Sequence, residues 1–323
     1  MKAFFRLIRI QNLLIIAGTQ YIMRYCIIKP FLKVNSFELQ LNNIHFFLLV
    51  FATILIAAAG YVINDYFDTR TDQLNRPEQV VIDKHIPRRY AMLLHLVMNF
   101  IGVALGVYLS FHIHVPGLSI IFIVTAGLLW FYSTDYKRRF LIGNILVSLM
   151  TAAVPMLVIL YEMPLLNEVY GSTMIRAHAN FNYIFYWITG FGFFAFITTL
   201  LREIIKDLED FEGDSAYGMN TLPIVLGTKS TKIILISLIC ICAGSLSFVL
   251  FKFIIFSRDF IDYISGGYYF IFLFSPLILL MIKIIIAKNK RDYYMASQLT
   301  KIIILAGIFY SFVVRYIVLF KLN

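Results

Sequence analysis

Two acidic runs carry the residues best suited to chemistry. "NDYFDTRTD" covers Asn64–Asp72 and follows the uncharged "ILIAAAGYVI"; "DLEDFEGD" covers Asp207–Asp214. Asp65, Asp68 and Asp72 each recur 142 residues later, as Asp207, Asp210 and Asp214. At about 100° per residue, positions i, i+3 and i+7 of a helix share an arc of about 60°. Each triad therefore lines one helix face, with Asn64 bordering the first and Glu203 on the face of the second, while Glu209 and Glu212 fall elsewhere. Three carboxylates on one face repel one another and need a cation, a basic partner or raised pKa values. Hard oxygen ligands suit Mg²⁺, which commonly takes one or two carboxylates and completes its shell with water and phosphate oxygens. Two such faces turned toward each other would hold metal ions over a diphosphate. Arg76, Lys84, Arg88 and Arg89 after the first run, and Lys137 further on, supply positive charge for a phosphate or an anionic acceptor.

The elements that must carry these runs are membrane helices. Of 323 residues 60% are hydrophobic and only 14% charged, against roughly 25% charge in soluble domains. Nine stretches approach the ~20 apolar residues that a span requires: about 11–30, 44–63, 90–111, 115–133, 140–161, 181–201, 233–253, 268–287 and 300–320. The fold expected is an all-α integral membrane protein, nine transmembrane helices in one bundle around a central cavity, forming a single domain over 1–323. Arg24 and Arg315 interrupt the first and last spans and are expected to snorkel toward an interface. The start of the chain has no small-residue cleavage site of the signal-peptide kind, so it reads as the first span.

Nine spans separate the loops into two alternating sets, with 20 Lys and Arg in one and 7 in the other; Arg24 completes the 28. The basic set marks the cytoplasmic side. The amino terminus and both acidic runs then face the cytoplasm, in a cell inner or plasma membrane. The net charge of +10 is accounted for by topology and calls for no nucleic acid. Cys26, Cys240 and Cys242 fall inside spans and read as inert buried thiols. His112 and His114 make too small a set for a metal site, and Pro155 and Pro276 are expected to kink their helices. The equal spacing of the acidic runs, each after a span of the same direction, suggests a parallel internal repeat.

At these residues the chain resembles the UbiA superfamily of intramembrane prenyltransferases. That family's first motif, N-D-x-x-D-x-x-x-D, reads here as "NDYFDTRTD" followed by Asn75-Arg76-Pro77, and its second, D-x-x-D-x-x-x-D, as "DLEDFEGD" followed by Gly218 and Thr221-Leu222-Pro223. "RIQN", Arg9–Asn12, resembles the family's opening, and "YSTDYK", Tyr132–Lys137, its Tyr-Ser-x-x-x-Lys. The resemblance implies a polyprenyl diphosphate donor bound through Mg²⁺, with Asp65, Asp68, Asp72, Asp207, Asp210 and Asp214 as catalytic metal ligands. It implies that Asn12 and Asn64 orient the diphosphate, that Tyr132 lies near the allylic carbon, and that Glu203, Arg76, Lys84, Arg88, Arg89 and Lys137 join substrate binding. The product would be a prenylated lipophilic acceptor and free diphosphate. An aromatic quinone precursor, a prenylglyceryl phosphate and haem are all open as acceptors; "DQLNRPEQVVIDKHIPRR", Asp72–Arg89, looks most like the geranylgeranylglyceryl-phosphate branch. Two readings of other classes compete. A cation-coupled transporter would place its acids near the middle of the membrane in broken helices, whereas these lie at one edge beside basic residues. A non-catalytic lipid-binding relative would have little use for six aspartates.

Overall fold

The computed structural model describes residues 2–75, 78, 80–255 and 262–320, without the side chains of 70–72, 74, 75 and 253–255. Thirteen α-helices run along it. α1 is Lys2–Leu7; α2 is Ile10–Ile22, continuing through a π turn, Met23–Ile28, into α3, Lys29–Val34; α4 is Asn43–Asn75, α5 Arg88–His112, α6 Ser119–Thr134 and α7 Ile142–Arg176. Then come α8, Asn182–Glu209; α9, Phe211–Ala216; α10, Leu222–Val249; α11, Tyr263–Tyr268; α12, Ser275–Ile286; and α13, Lys290–Phe320. Among the described residues eight helical stretches are long and apolar enough to cross a membrane, from Asn43–Thr69 to Lys290–Phe320. The ninth expected span is the α2–α3 stretch, which is helical throughout but carries Arg24, Lys29 and Lys33.

The chain forms two compact units: residues 1–137 with 153–189, and 138–152 with 190–323. α7 and α8 each have residues in both.

In the first unit, small residues let helices approach closely, as they do in membranes where packing replaces the hydrophobic drive. A Cβ on Gly102 of α5 would lie 2.8 Å from Ile56 of α4, and one on Gly106 would lie 2.2 Å from Phe122 of α6. Below this contact Leu7, Ile8 and Leu13 pack with Ala58, Ala59 and Val62 of α4 and with Val81 and Ile82 of the following loop. That cluster fixes the end of α4 on which the first acidic run sits. The loop itself turns tightly at Asp83, whose φ of 67° is left-handed, and Asp83 N–H donates to the Ile86 carbonyl at 3.0 Å.

Arg24 departs from expectation. Instead of reaching for an interface it is 1% exposed, 3.7 Å from Glu162 of α7, donating to the Leu41 carbonyl and lying over the Phe46 ring at 4.3 Å. Glu162 accepts from the Leu41 N–H at 3.2 Å. The partnered carboxylate is why Glu162 can stay buried within α7, which runs on past residue 161, where its charge marked the expected end of the span. Arg315 is exposed, as is Cys240, while Cys26 and Cys242 are buried. His112 finds its partner in His45 of α4, with ring centroids 3.7 Å apart.

In the second unit α13 packs on α8 at Gly307, where a Cβ would come within 2.0 Å of Phe194. Lys232 donates to the Ala287 carbonyl at the end of α12. Pro155 lies inside α7, which is a single helix, and Pro276 is the second residue after the π turn Tyr269–Phe274. A proline cannot donate and crowds the preceding turn, which a widened π turn accommodates.

Candidate functional site

The first acidic run lies on an unbroken helix, as its spacing predicts, because α4 continues to Asn75. The buried Thr69 satisfies its hydroxyl within the helix, donating to the Asp65 carbonyl at 3.1 Å. Asp65 accepts a hydrogen bond from Arg9 at 2.7 Å, and the same guanidinium lies over the Tyr61 ring at 5.0 Å. Asp68 is ion-paired with Lys137, which also donates to Asn64 Oδ1 at 3.4 Å. The side chains of Asp65 and Asp68 are 18% and 16% exposed, and that of Lys137 only 9%, so these charges meet where water screens them weakly. The Asp72 side chain and all of Arg76 lie outside the described residues.

Around this group the other expected residues divide. Asn12 is half-buried in the first turn of α2. Lys84 is exposed on the Asp83 turn. Arg88 is held by Asp83 at 2.9 Å and lies over the Tyr66 ring at 5.2 Å. Arg89 is exposed against Tyr90, and Tyr132 is half-buried near the end of α6.

The second run departs from the continuous helix its spacing suggests. α8 ends at Glu209, Asp210 stands between helices with φ −96° and ψ 9°, and α9 starts at Phe211. Aspartate favours helix starts over interiors because its side chain competes for local backbone groups. The turn-to-turn register survives the break, since Asp210 N–H donates to the Lys206 carbonyl at 2.8 Å and Asp214 N–H to that of Asp210 at 3.0 Å. Asp207 Oδ2 accepts from Asn144 of α7 at 2.8 Å, and Glu203, Asp214 and Lys206 lie close enough to act on its charge. Asp214 is buried, 8% exposed. Glu203, expected to bind substrate, is paired with Arg202 at 2.7 Å and Lys206 at 3.5 Å.

Sequence reasoning missed Arg9 and Asn144 as partners of the leading aspartates. Each left a signal: Arg9 is the last charge before a span, and Asn144 is the one amide in the apolar 140–161 stretch.

The donor set in both runs is carboxylate and amide oxygen, which fits Mg²⁺ and argues against softer metals. Among the described residues no three His, Cys, Asp or Glu side chains form a metal cage by themselves.

The profile of the UbiA prenyltransferase family matches residues 36–305, which include both acidic runs. The digeranylgeranylglyceryl phosphate synthase of Sulfurisphaera tokodaii is 30% identical over 301 residues, covering 92% of this chain and 91% of that protein. The enzyme of that name from Methanothermobacter thermautotrophicus is 34% identical over 185 residues, 57% of each chain, so this match spans little more than half of that relative. A solved structure described as giving insight into digeranylgeranylglyceryl phosphate synthase in membranes superposes with a TM-score of 0.61 at 23% identity, covering 96% of this chain and 98% of that one. A UbiA homologue from Archaeoglobus fulgidus, bound to DMAPP and Mg²⁺, gives 0.53 at 15% identity over 96% and 99% of the two chains. At such identities the superpositions speak for the fold.

Proposed function

The chain belongs to the UbiA prenyltransferase family, and from that premise we propose that it transfers a polyprenyl group from an allylic diphosphate to the hydroxyl of a prenylglyceryl phosphate. The observation that carries the reading is the first acidic run, semi-buried at the end of an apolar helix, with Arg9 on Asp65 and Lys137 on Asp68. Fixed cations beside fixed carboxylates are what a site for a metal-bound polyanion requires.

Asp65, Asp68 and Asp72 in one motif, and Asp207, Asp210 and Asp214 in the other, would hold Mg²⁺. When bound, the ion neutralises charge that develops on a leaving diphosphate. Lys137 and Asn64 would present donors to diphosphate oxygens, and Asn12 would help to orient them. Arg's planar fork matches phosphate geometry, so Arg88, with Arg89, Lys84 and Arg76, is assigned to the acceptor's phosphate. Glu203 would keep Arg202 and Lys206 in place beside the second motif.

In the reaction the allylic C–O bond breaks and its electron pair leaves with the diphosphate. A hydroxyl oxygen of the acceptor attacks the allylic carbon, and its proton passes to a diphosphate oxygen. Tyr132 would offer its ring face to the developing cation, an interaction worth roughly 0.5–2 kcal/mol. The apolar surroundings limit hydrolysis of that cation by water. In the cell this chemistry would face the cytoplasm, on the side of the basic loops.

The names of the relatives favour a prenylglyceryl phosphate over an aromatic acceptor. Purified protein should be given Mg²⁺, an allylic polyprenyl diphosphate and, in parallel, geranylgeranylglyceryl phosphate or a hydroxylated benzoate. The expected result is an ether-linked lipid phosphate, seen by mass spectrometry, with equimolar diphosphate. A prenylated benzoate alone would replace the acceptor, and no diphosphate release with any acceptor would remove the enzyme reading.

A further inference from the structure

We propose that Arg9 is a built-in competitor for the metal ion at Asp65, so that the first motif takes up its metal together with the diphosphate and not before it. The inference rests on the metal-binding reading above. Five observations lead to it.

The guanidinium occupies Asp65 Oδ1 at 2.7 Å, the position a divalent ion would claim. It is pre-placed by the Tyr61 ring, 5.0 Å away and one turn earlier on α4. The backbone of Arg9 is left-handed, φ 50° and ψ 57°, a conformation that non-glycine residues adopt sparingly and that here turns the chain between α1 and α2, which fixes where the side chain starts. Leu7 and Leu13 are buried on either side, 0% and 2% exposed, and anchor the strained residue from both directions. Finally, Asp68 already has Lys137. Adding a divalent ion here would crowd it against two resident cations, and a polyanion arriving with it removes that repulsion. Arg9 need not leave the site, because its five donors can pass from a carboxylate to phosphate oxygens in the same fork geometry.

A merely structural Arg9 would join α1 to α2 and leave metal affinity alone, which makes the two roles separable. Mn²⁺ binding to the full-length protein in detergent should be followed by electron paramagnetic resonance, with and without inorganic pyrophosphate at fixed free Mn²⁺. Asparagine tolerates the left-handed backbone, so R9N removes the charge without adding strain, and R9G serves if R9N does not fold. R9N should bind Mn²⁺ alone about tenfold more tightly than wild type, within the usual range of coupling between sites. R9K, which keeps the charge, should stay within about twofold of wild type. In wild type, pyrophosphate should raise Mn²⁺ affinity by more than it does in R9N. Unchanged Mn²⁺ affinity in R9N, or an R9K that behaves as R9N does, overturns the proposal. If D65N and D207N both bind Mn²⁺ as wild type does, the metal reading itself falls, and this proposal with it.

Discussion

The two acidic motifs share one spacing and differ in nearly everything that surrounds it. In the first, the helix runs through the motif and the leading aspartates meet cations, Arg9 on Asp65 and Lys137 on Asp68. In the second, the helix breaks at Asp210, and the leading aspartate meets a neutral amide, Asn144. Arg202 and Lys206 there are engaged by Glu203. Equal spacing therefore does not mean equal electrostatics. A guanidinium sets an opposite charge against a carboxylate, whereas an amide offers it a hydrogen bond without one. The difference lies in what each motif sets against its carboxylates: resident cations in the first, a neutral amide on the leading aspartate in the second.

The severest challenge to this contrast is to remove one leading charge from each motif. Asp68→Asn and Asp207→Asn should each lower diphosphate release by about 10³-fold, the scale of losing one preorganised electrostatic contact to developing charge. Both proteins should still insert into membranes and elute normally. Wild-type turnover in either would confine the metal role to the other motif. Next in size is the amide. Asn144→Ala should lower metal affinity or turnover by about 10- to 100-fold, as is typical when a group orienting a ligand is lost. Asn144→Asp should do worse, because a second carboxylate against Asp207 repels it. If Asn144→Ala matches wild type in Mn²⁺ affinity and turnover, Asp207 is held by other contacts.

These expectations mark how far the sequence could be read. The membrane class, the run of helices and the continuous helix under the first acidic run were legible because apolar length and helical spacing are properties of local chain geometry. Lys137 was legible from its motif. Arg9 and Asn144 were not, because their roles arise from contacts 56 and 63 residues distant along the chain. Arg24 failed for a related reason. Its charge suggested an interface, yet its partner, Glu162, lies 138 residues on, and pairing lets both stay buried. The break at Asp210 is subtler: the spacing suggested one continuous helix, and only the backbone shows that two helices carry the run.

A smaller effect is expected at the basic turn beside the first motif. Arg88 is half-exposed, bonded to Asp83 and stacked on Tyr66. Exposed ion pairs of this kind contribute about 0–1 kcal/mol to stability. Arg88→Ala should leave the melting temperature nearly unchanged while raising the KM for a phosphorylated acceptor by about tenfold, the cost of a lost charge-assisted contact of roughly 1.5 kcal/mol. An unchanged KM would reduce Arg88 to a marker of topology and remove the acceptor from this side of the motif.

The smallest effect tests why the second motif is broken at all. α9 is terminated by Gly218, whose φ is +65°. Its N–H donates to the Ser215 carbonyl at 3.1 Å, and the Met219 N–H donates to that of Asp214 at 3.0 Å. A Cβ at this position would meet nothing within 4 Å, so a substitution is resisted by backbone conformation alone. Gly218→Ala should cost about 1–2 kcal/mol, the penalty of a left-handed residue with a Cβ, and Gly218→Asn less, since asparagine visits that region more readily. Because the Met219 bond ends on Asp214, the turn also sets the backbone of the last aspartate in the motif. The alanine variant should then lose Mn²⁺ affinity by a few-fold in step with its loss in thermal stability in detergent. Stability lost with metal affinity intact would show that the turn supports the fold but not the ligand. If neither changed, the short helix would be held by its packing, and the contrast with the unbroken first motif would need another origin.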